Sequence, residues 1–197
     1  MENHAHLRMK FTSSIAEMEA EFQYEYARER NDKDGFVYCD RPHLMRELDD
    51  FCDQDKMHTK QGPMLILGDA GAGKSALLVN WMAKRKKNAQ TWSASFPEFL
   101  FYHAVGCTRQ SSYVPKLLSR LLSEMKEYFE LSKEIPVLEE KLNWEFPRFL
   151  EAAARKGRVI IMIDGLHRLQ TNEGEGFLRW LPLCKYIMIL VYVLNSL

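Results

Sequence analysis

The stretch Leu65–Ser75, LILGDAGAGKS, decides the fold. It passes from an apolar run into a glycine-rich loop and ends in a lysine and a serine. Gly68, Gly73, Lys74 and Ser75 satisfy the pattern G-x-x-x-x-G-K-[ST], in which glycines let successive backbone N–H groups surround a phosphate. The helix expected after the loop presents its positive N-terminal end to the same anion. The stretch therefore predicts a phosphate-binding loop for a nucleotide.

Each residue of this loop has a predicted part in the site. Lys74 is expected to reach the β- and γ-phosphates, which makes it a catalytic residue as well as a binding one, and the hydroxyl of Ser75 is expected to bind Mg²⁺. The alternative is an ordinary strand–helix turn with a chance lysine, but the motif stands between an apolar segment and an amphipathic one, as a true phosphate loop must. The predicted nucleotide-binding residues are Gly68, Asp69, Ala70, Gly71, Ala72, Gly73, Lys74 and Ser75.

A second apolar run supplies an acid. Val159–Ile163, VIIMI, is followed directly by Asp164. An acid at the tip of such a strand holds Mg²⁺, mostly through water, in P-loop enzymes. The alternative is an ordinary strand ending before a turn at Gly165. Given the glycine loop, we favour the metal role and predict Asp164 as a metal ligand and a catalytic residue.

Apolar segments alternate with amphipathic ones along the rest of the chain. Strands that are apolar on both faces and alternate with helices indicate a parallel sheet covered by helices on both sides, so the predicted fold class is α/β. The predicted strands are Met64–Leu67, Phe99–Val105, Val159–Ile163 and Ile187–Leu194, and the predicted helices are Pro42–Cys52, Lys74–Lys84, Val114–Leu131 and Trp144–Ala154.

The composition argues against several classes of protein. Lys plus Arg and Asp plus Glu both number 27, so no overall charge attracts nucleic acid or a membrane surface. The most apolar run, Ile187–Leu194, is about half as long as a helix that crosses a bilayer. The four cysteines are scattered and lack C-x-x-C spacing, which argues against a zinc site and favours a reducing, cytoplasmic compartment. We therefore expect neither nucleic acid nor a membrane as a partner.

The 197 residues suffice for one domain and an extension. Residues 14–30 predict a charged helix with one apolar stripe, and residues 31–35, NDKDG, break the chain. We therefore place a charged N-terminal helix and linker at residues 1–35 and a nucleotide-binding domain at residues 36–197. The helix is interpreted as a linker, or as a segment that pairs with another helix. Its stripe consists of Ile15, Met18, Phe22 and Tyr26.

Four segments together resemble the NACHT group of signal-transduction (STAND) P-loop ATPases. They are GDAGAGKS, FYHAVGCTRQSS, VIIMIDG and FLRWLP. The resemblance covers residues 36–188 and implies a three-layer ATPase core that binds ATP or ADP with Mg²⁺ and switches attached domains. It also implies that FVYCDRPHL lies against the adenine, with Arg41 as a nucleotide-binding residue, although a solvated arginine is the alternative. The likeness is greatest to a ciliary member with tetratricopeptide repeats, so a ciliary location is expected only if that likeness holds.

Two departures from this group concern hydrolysis. Acids that help to activate water are expected just after the Asp164 strand, but His167 and Arg168 stand there. His167 is predicted as a catalytic base at neutral pH, with a solvent-facing loop histidine as the alternative. The run Tyr186–Leu194, which contains the final predicted strand, lacks the polar sensor residues of the group, since its only hydroxyls are those of Tyr186 and Tyr192.

The chain stops at Leu197, before the helical lid or repeats that the resemblance implies. We therefore expect a core that is incomplete at the C-terminus. We also expect protein partners, reached through the N-terminal helix or the missing C-terminal domains, and self-association through uncovered apolar surface.

Three functions stay open on the sequence. The favoured one is a Mg²⁺-dependent ATP- or ADP-binding switch module with weak or no hydrolysis. The second is a degenerate NTPase fold that serves as a protein-interaction scaffold. The third is a GTPase or phosphotransferase, for which the guanine-reading pattern N-K-x-D is missing after the loop.

Overall fold

The computed structural model describes residue 18 and residues 21–27, 39–53, 62–91, 97–170, 180–181 and 187–193. Residues 21–27 are helical and are named α1. The longer helices are α2 (Pro42–Asp53), α3 (Lys74–Thr91), α4 (Val114–Tyr128) and α5 (Glu139–Ala154), and a 3₁₀ turn covers Leu166–Arg168. The strands are β1 (Met64–Gly68), β2 (Glu98–Ala104), β3 (Arg158–Asp164) and β4 (Ile187–Val193).

These strands form one parallel sheet in the order β1-β4-β3-β2. β4 separates the strand that leads into the glycine loop from the strand that ends in the predicted acid. Gly68 pairs with Val193 of β4, and Asp164 pairs with Val191. Because the carboxyl ends of parallel strands lie at the same edge of a sheet, the loop and the acid emerge together, on either side of β4. The predicted α/β fold class is confirmed.

Helices cover both faces of the sheet and give it three layers. One core contains residues of α2 and α3 together with Tyr102 and Met162 from one face of the sheet. The other contains residues of α4 and α5 together with Phe101 and Ile161 from the opposite face, and Trp180 of the FLRWLP segment is buried in it. β3 is therefore buried on both sides, as its uninterrupted apolar sequence predicts.

Three helices differ in length from their predictions. α3 continues to Thr91 instead of ending at Lys84, because lysine, alanine and glutamine prolong a helix after its apolar stripe has ended. α5 begins at Glu139, where two glutamates in the first turn suit the positive end of a helix. α4 ends at Tyr128, and Glu130 beyond it has a φ of 49°, a left-handed conformation that stops the helix.

α1 packs on the sheet with a side that shares only Tyr26 with the described part of the predicted stripe. Met18 and Phe22 are 53% and 54% exposed, whereas Gln23 and Ala27 are buried. The Gln23 side chain accepts the Ala104 N–H at 2.7 Å and donates to the Ala104 carbonyl at 3.2 Å. One side chain thus supplies the edge of β2 with hydrogen bonds of the kind that a further strand would make. The predicted domain boundary at residue 35 lies outside the described residues.

A cluster of charges ties α2 and α3 to the sheet at the edge opposite the glycine loop. Arg85 of α3 contacts Asp49 at 2.9 Å and Asp53 at 2.6 Å, both in α2, and Glu98 at the start of β2 at 2.7 Å. Arg158, at the start of β3, contacts Asp53 at 2.7 Å and Glu98 at 3.2 Å. Two helices and two strands therefore share one ion-pair network, which fixes α2 relative to the sheet.

Candidate nucleotide-binding site

The glycine loop connects β1 to α3 and needs its glycines for backbone conformation. Gly71 and Gly73 have φ values of 79° and 81°, in the left-handed region that costs other residues about 1–2 kcal/mol. The Ala72 N–H donates to the Asp69 carbonyl at 3.2 Å and closes the turn, and the Leu77 N–H donates to the Gly73 carbonyl at 2.9 Å as α3 begins. The loop therefore leads directly into a helix N-terminus, as phosphate binding requires.

The ammonium group of Lys74 lies within this loop. Lys74 is 9% exposed, and its Nζ donates to the carbonyls of Gly68 and Asp69 at 2.7 and 2.6 Å. A buried cation needs such partners, because burial without hydrogen bonds is costly. The two carbonyls keep the charge beside the backbone groups that would hold a phosphate. Ser75 follows in the first turn of α3 and is half-buried.

Asp164 ends β3 and is held by both its backbone and its side chain. It is 6% exposed, and its carbonyl accepts the Val105 N–H at 2.8 Å. Its carboxylate oxygen Oδ2 accepts the hydroxyl of Tyr102 at 2.9 Å. The donor is a neutral hydroxyl and not the cationic partner of an ion pair, and the carboxylate lies at the carboxyl edge of the sheet.

His167 lies in the 3₁₀ turn after Asp164 and is half-buried. The pKa of His167 lies below its ordinary value of 6.5. Burial is the largest cause, and the positive charges of Arg168 and Lys74 act in the same direction, while the negative charge of Asp164 opposes them. The histidine is therefore neutral at pH 7 and can accept a proton, as a base must. His167 thus follows Asp164 closely at the carboxyl edge of the sheet, the edge at which the Lys74 loop also lies, and the catalytic roles of the three residues stay predictions.

Arg41 lies beside the glycine loop, although it is distant from it in sequence. It precedes Pro42, the first residue of α2, and its carbonyl accepts the Met45 N–H at 3.1 Å. A Cβ atom built on Gly73 would lie 3.5 Å from Nη2 of Arg41, so the guanidinium lies against the loop. Its contact with a nucleotide stays a prediction.

Ser75 and Asp164 are the candidate ligands of Mg²⁺. A hydroxyl and a carboxylate are hard oxygen donors, and Mg²⁺ typically takes one or two such groups while water and substrate phosphates complete its shell. In the part of the chain that the structure describes, no group of three or more His, Cys, Asp or Glu residues is arranged to hold a metal. The donor set fits a cation that is shared with nucleotide phosphates. Tyr186, the first hydroxyl of the predicted final strand, lies outside the described residues.

The sequence did not reveal the polar network behind the acid. Arg120 of α4 is 5% exposed and donates to the Tyr102 carbonyl at 2.7 Å and to Nδ1 of His103 at 2.9 Å. Nε2 of His103 lies 2.7 Å from the Ser111 carbonyl and is therefore the protonated nitrogen. Burial, followed by the charge of Arg120, lowers the pKa of His103 to about 3. The apolar character of FYHAV hides these contacts, and only the alternation of strand faces could have placed Tyr102 on the side of Asp164.

Comparison with known proteins agrees with this geometry. The sequence profile of the AAA ATPase domain family matches residues 40–183. Nephrocystin-3 of Homo sapiens is 30% identical over an alignment of 136 positions, and the match covers 66% of this chain and 10% of that protein. A TPR repeat-containing protein of Dictyostelium discoideum is 26% identical over an alignment of 157 positions, and the match covers 60% of this chain and 9% of that protein. The chain thus spans about a tenth of the length of these relatives, and the similarity to nephrocystin-3 confirms the resemblance that the motifs predicted.

A solved structure supports the fold. The ORC1 protein of Aeropyrum pernix, determined in complex with DNA, superposes with a TM-score of 0.53 at 19% identity, covering 86% of this chain and 43% of that protein. At this identity the likeness concerns the fold alone, and it supports the α/β P-loop core.

Proposed function

We propose that this chain, which belongs to the AAA ATPase domain family, binds ATP or ADP with Mg²⁺. It acts as a STAND-type switch module with weak or no hydrolysis. The coarser statement, a nucleotide-binding P-loop module, follows from the family and the fold. One observation carries the finer proposal. Lys74 is held by loop carbonyls at 2.7 and 2.6 Å, and its loop emerges beside Asp164 at the carboxyl edge of the sheet, with only β4 between them.

Nucleotide binding would begin with the phosphates at the glycine loop. The loop N–H groups and the N-terminal end of α3 supply partial positive charge, and Lys74 adds a full charge. When a phosphate oxygen replaces the Gly68 or Asp69 carbonyl at Nζ, the ammonium exchanges a neutral acceptor for an anionic one, and that hydrogen bond is stronger. Affinity should therefore depend strongly on Lys74.

Slow hydrolysis follows from what stands after Asp164. Ser75 and Asp164 would hold Mg²⁺, which when bound neutralises charge on the β- and γ-phosphates. His167 is the candidate group to take a proton from water, but its lowered pKa makes it a weak base. Arg168 stands where the resemblance places a second acid, and it adds positive charge instead. We therefore expect tight binding and slow turnover.

The switch role rests on the relatives. The match covers about a tenth of nephrocystin-3. That relative therefore has other regions, which can respond to a bound nucleotide. We propose protein partners, reached through α1 or through such further regions, and a cytoplasmic location that is ciliary only if the likeness extends to function. No helix among the described residues has the length and apolar character needed to cross a membrane.

A protein-interaction scaffold is the second candidate, and α1 favours it. Phe22 and Tyr24 of this helix are 54% and 69% exposed, and Met18, earlier in the chain, is 53% exposed; large apolar side chains in water are typical of contact surfaces. On this hypothesis nucleotide is irrelevant, so Lys74→Ala would leave partner binding unchanged. Loss of partner binding in Lys74→Ala would favour the nucleotide switch.

The test is a titration of a fluorescent ATP analogue into the 197-residue chain, with and without Mg²⁺. Lys74→Ala is compared with wild type and with Lys84→Ala, which removes an exposed lysine from the same helix. We expect Lys84→Ala to bind like wild type and Lys74→Ala to bind at least about tenfold more weakly, since a hydrogen bond to a charged group contributes about 1.5–3 kcal/mol. Equal binding by Lys74→Ala, or no binding by folded wild type, would contradict the proposal. A clear preference for GTP would instead revive the GTPase hypothesis.

A further inference from the structure

We propose that Tyr102 is a positioning residue for Asp164. Its hydroxyl occupies one carboxylate oxygen and leaves the other for Mg²⁺ and the water bound to it. The inference rests on the proposed function and deepens it. It names a residue that belongs neither to the glycine loop nor to the metal ligands but determines how nucleotide binding responds to Mg²⁺.

The contact itself is short and buried. The Tyr102 hydroxyl donates to Oδ2 of Asp164 at 2.9 Å, and the two residues are 5% and 6% exposed. Within the ranges that the structure describes, no hydrogen bond reaches Oδ1. An arginine or lysine at this position would neutralise the carboxylate and compete with a cation, whereas a phenol satisfies one oxygen and keeps the charge. The pair therefore suits a carboxylate that receives a metal.

The strand register makes this contact a fixed one. Ala104 of β2 pairs with Asp164 of β3, so Tyr102 lies two residues earlier on the same face of the neighbouring strand. The Tyr102 ring belongs to the core that α2 and α3 form with the sheet. The Tyr102 carbonyl accepts Nη2 of Arg120 at 2.7 Å. Both the ring and the backbone of Tyr102 are thus held, and its hydroxyl has a defined place relative to the acid.

A positioning role and a purely structural one predict different results. If Tyr102 serves only to satisfy a buried carboxylate, removing its hydroxyl lowers stability and changes nothing in the response to Mg²⁺. If it positions the carboxylate, the same change weakens the response to Mg²⁺ and leaves metal-free nucleotide binding intact, because that binding depends on the glycine loop and Lys74.

The experiment measures nucleotide affinity as a function of Mg²⁺ concentration for wild type, Tyr102→Phe and Tyr128→Phe. Tyr128 is the matched control: its hydroxyl also donates a hydrogen bond, to the Glu98 carbonyl at 2.9 Å, but at the opposite end of β2. We expect all three to bind nucleotide equally without Mg²⁺. The Mg²⁺ concentration at half-effect should rise roughly three- to tenfold in Tyr102→Phe, the range set by one hydrogen bond, and should not change in Tyr128→Phe.

The outcomes distinguish a failure of this inference from a failure of the proposed function. If Tyr102→Phe keeps the wild-type half-effect concentration while wild type shows Mg²⁺-dependent binding, the inference is overturned and the proposed function stands. If wild type shows no Mg²⁺-dependent binding, both are overturned. If Tyr102→Phe does not fold, ¹³Cζ-tyrosine NMR of nucleotide-bound wild type provides the second readout. Added Mg²⁺ should shift the Tyr102 resonance and not that of Tyr128, and an unshifted Tyr102 signal would overturn the inference.

Discussion

A neutral histidine buried against a charged arginine gives the molecule a distinct dependence on pH. His103 is 1% exposed, accepts a hydrogen bond from Arg120 at Nδ1 and donates one to the Ser111 carbonyl at Nε2. Protonation of Nδ1 would place a second positive charge beside Arg120, and Glu124, which pairs with Arg120 at 2.6 Å, belongs to the same network. The folded chain therefore resists protonation at His103, while the unfolded chain does not.

We predict a loss of stability in mild acid that depends on His103. The pKa of His103 is about 3 in the folded chain, against an ordinary value of 6.5. The stability that the neutral histidine contributes is therefore fully present above pH 6.5 and is lost as the pH falls towards 3. The free energy of unfolding should decrease by up to about 1.4 kcal/mol per pH unit in that interval. Denaturant unfolding between about pH 7 and pH 5 should show a shallower decrease for His103→Gln than for wild type. His43→Gln, at an exposed histidine of α2, is the control, and parallel curves for wild type and His103→Gln would refute the prediction.

For single residues, a sequence pattern identifies those whose type and neighbours together indicate their chemistry. Lys74 and Asp164 stand out because their neighbours are glycines or an apolar run. Tyr102 and His103 do not, because tyrosine and histidine within an apolar strand look like core residues. Their partners, Asp164 and Arg120, come from elements 62 and 17 residues away, and only tertiary packing shows which strand face meets which side chain.

Among the elements, α1 is attached to the sheet by a side-chain amide together with apolar contacts of Tyr26 and Ala27. The Gln23 amide bonds both the N–H and the carbonyl of Ala104, the residue of β2 that pairs with Asp164, and its Nε2 also donates to Sγ of Cys107 at 3.0 Å. Ala27 adds a small apolar contact to the same core. The docking of α1 is therefore connected, through one peptide unit, to the strand that supports the acid.

We predict that Gln23→Ala releases α1 while the sheet stays folded. Both hydrogen-bonding groups of Ala104 would lose their partner, at a cost of about 1–3 kcal/mol. Hydrogen exchange should show residues 21–27 losing roughly five- to a hundredfold of their protection, with α4 unchanged. Glu25→Ala alters an exposed residue of the same helix and should change little. Unaltered exchange of α1 in Gln23→Ala would mean that other contacts hold the helix.

The predicted strands agree with the observed ones within a residue or so at each end, because an uninterrupted apolar run has few alternatives inside a parallel sheet. The helices agree less well at their ends. Lys86 and Lys87 continue α3 without any apolar signal, and α5 begins on Glu139, before the apolar spacing becomes clear. Helix ends depend on capping and local propensity, which are weaker signals than burial.

Across the whole molecule, the sheet has an uncovered apolar strip at β1, which is an edge strand of the described sheet. Leu65 and Leu67 point to the same face and are 51% and 52% exposed, while Ile66 between them is half-buried. Exposed apolar side chains on an edge strand favour association with another chain. This observation agrees with the self-association predicted from the sequence, which stays a prediction.

We predict that the chain associates as its concentration rises and that Leu67→Glu weakens the association. A glutamate on this strip would have to lose water in the contact, so the dissociation constant should rise at least about tenfold. Val137→Glu, at a residue that is 71% exposed in the connection between α4 and α5, should leave the association unchanged. Sedimentation velocity over a concentration series distinguishes these cases, and a wild type that stays monomeric throughout would rule the prediction out.

The central claim is that this chain holds a Mg²⁺-bound nucleotide and turns it over slowly. The most direct measurement mixes it with an equal amount of radiolabelled ATP, separates bound from free label and follows the ATP-to-ADP ratio of the bound fraction over time, with Mg²⁺ or with chelator. We predict that much more label is retained with Mg²⁺ than with chelator and that the bound label stays ATP long after binding is complete. Label that is not retained, or bound label that becomes ADP as fast as it binds, would contradict the account.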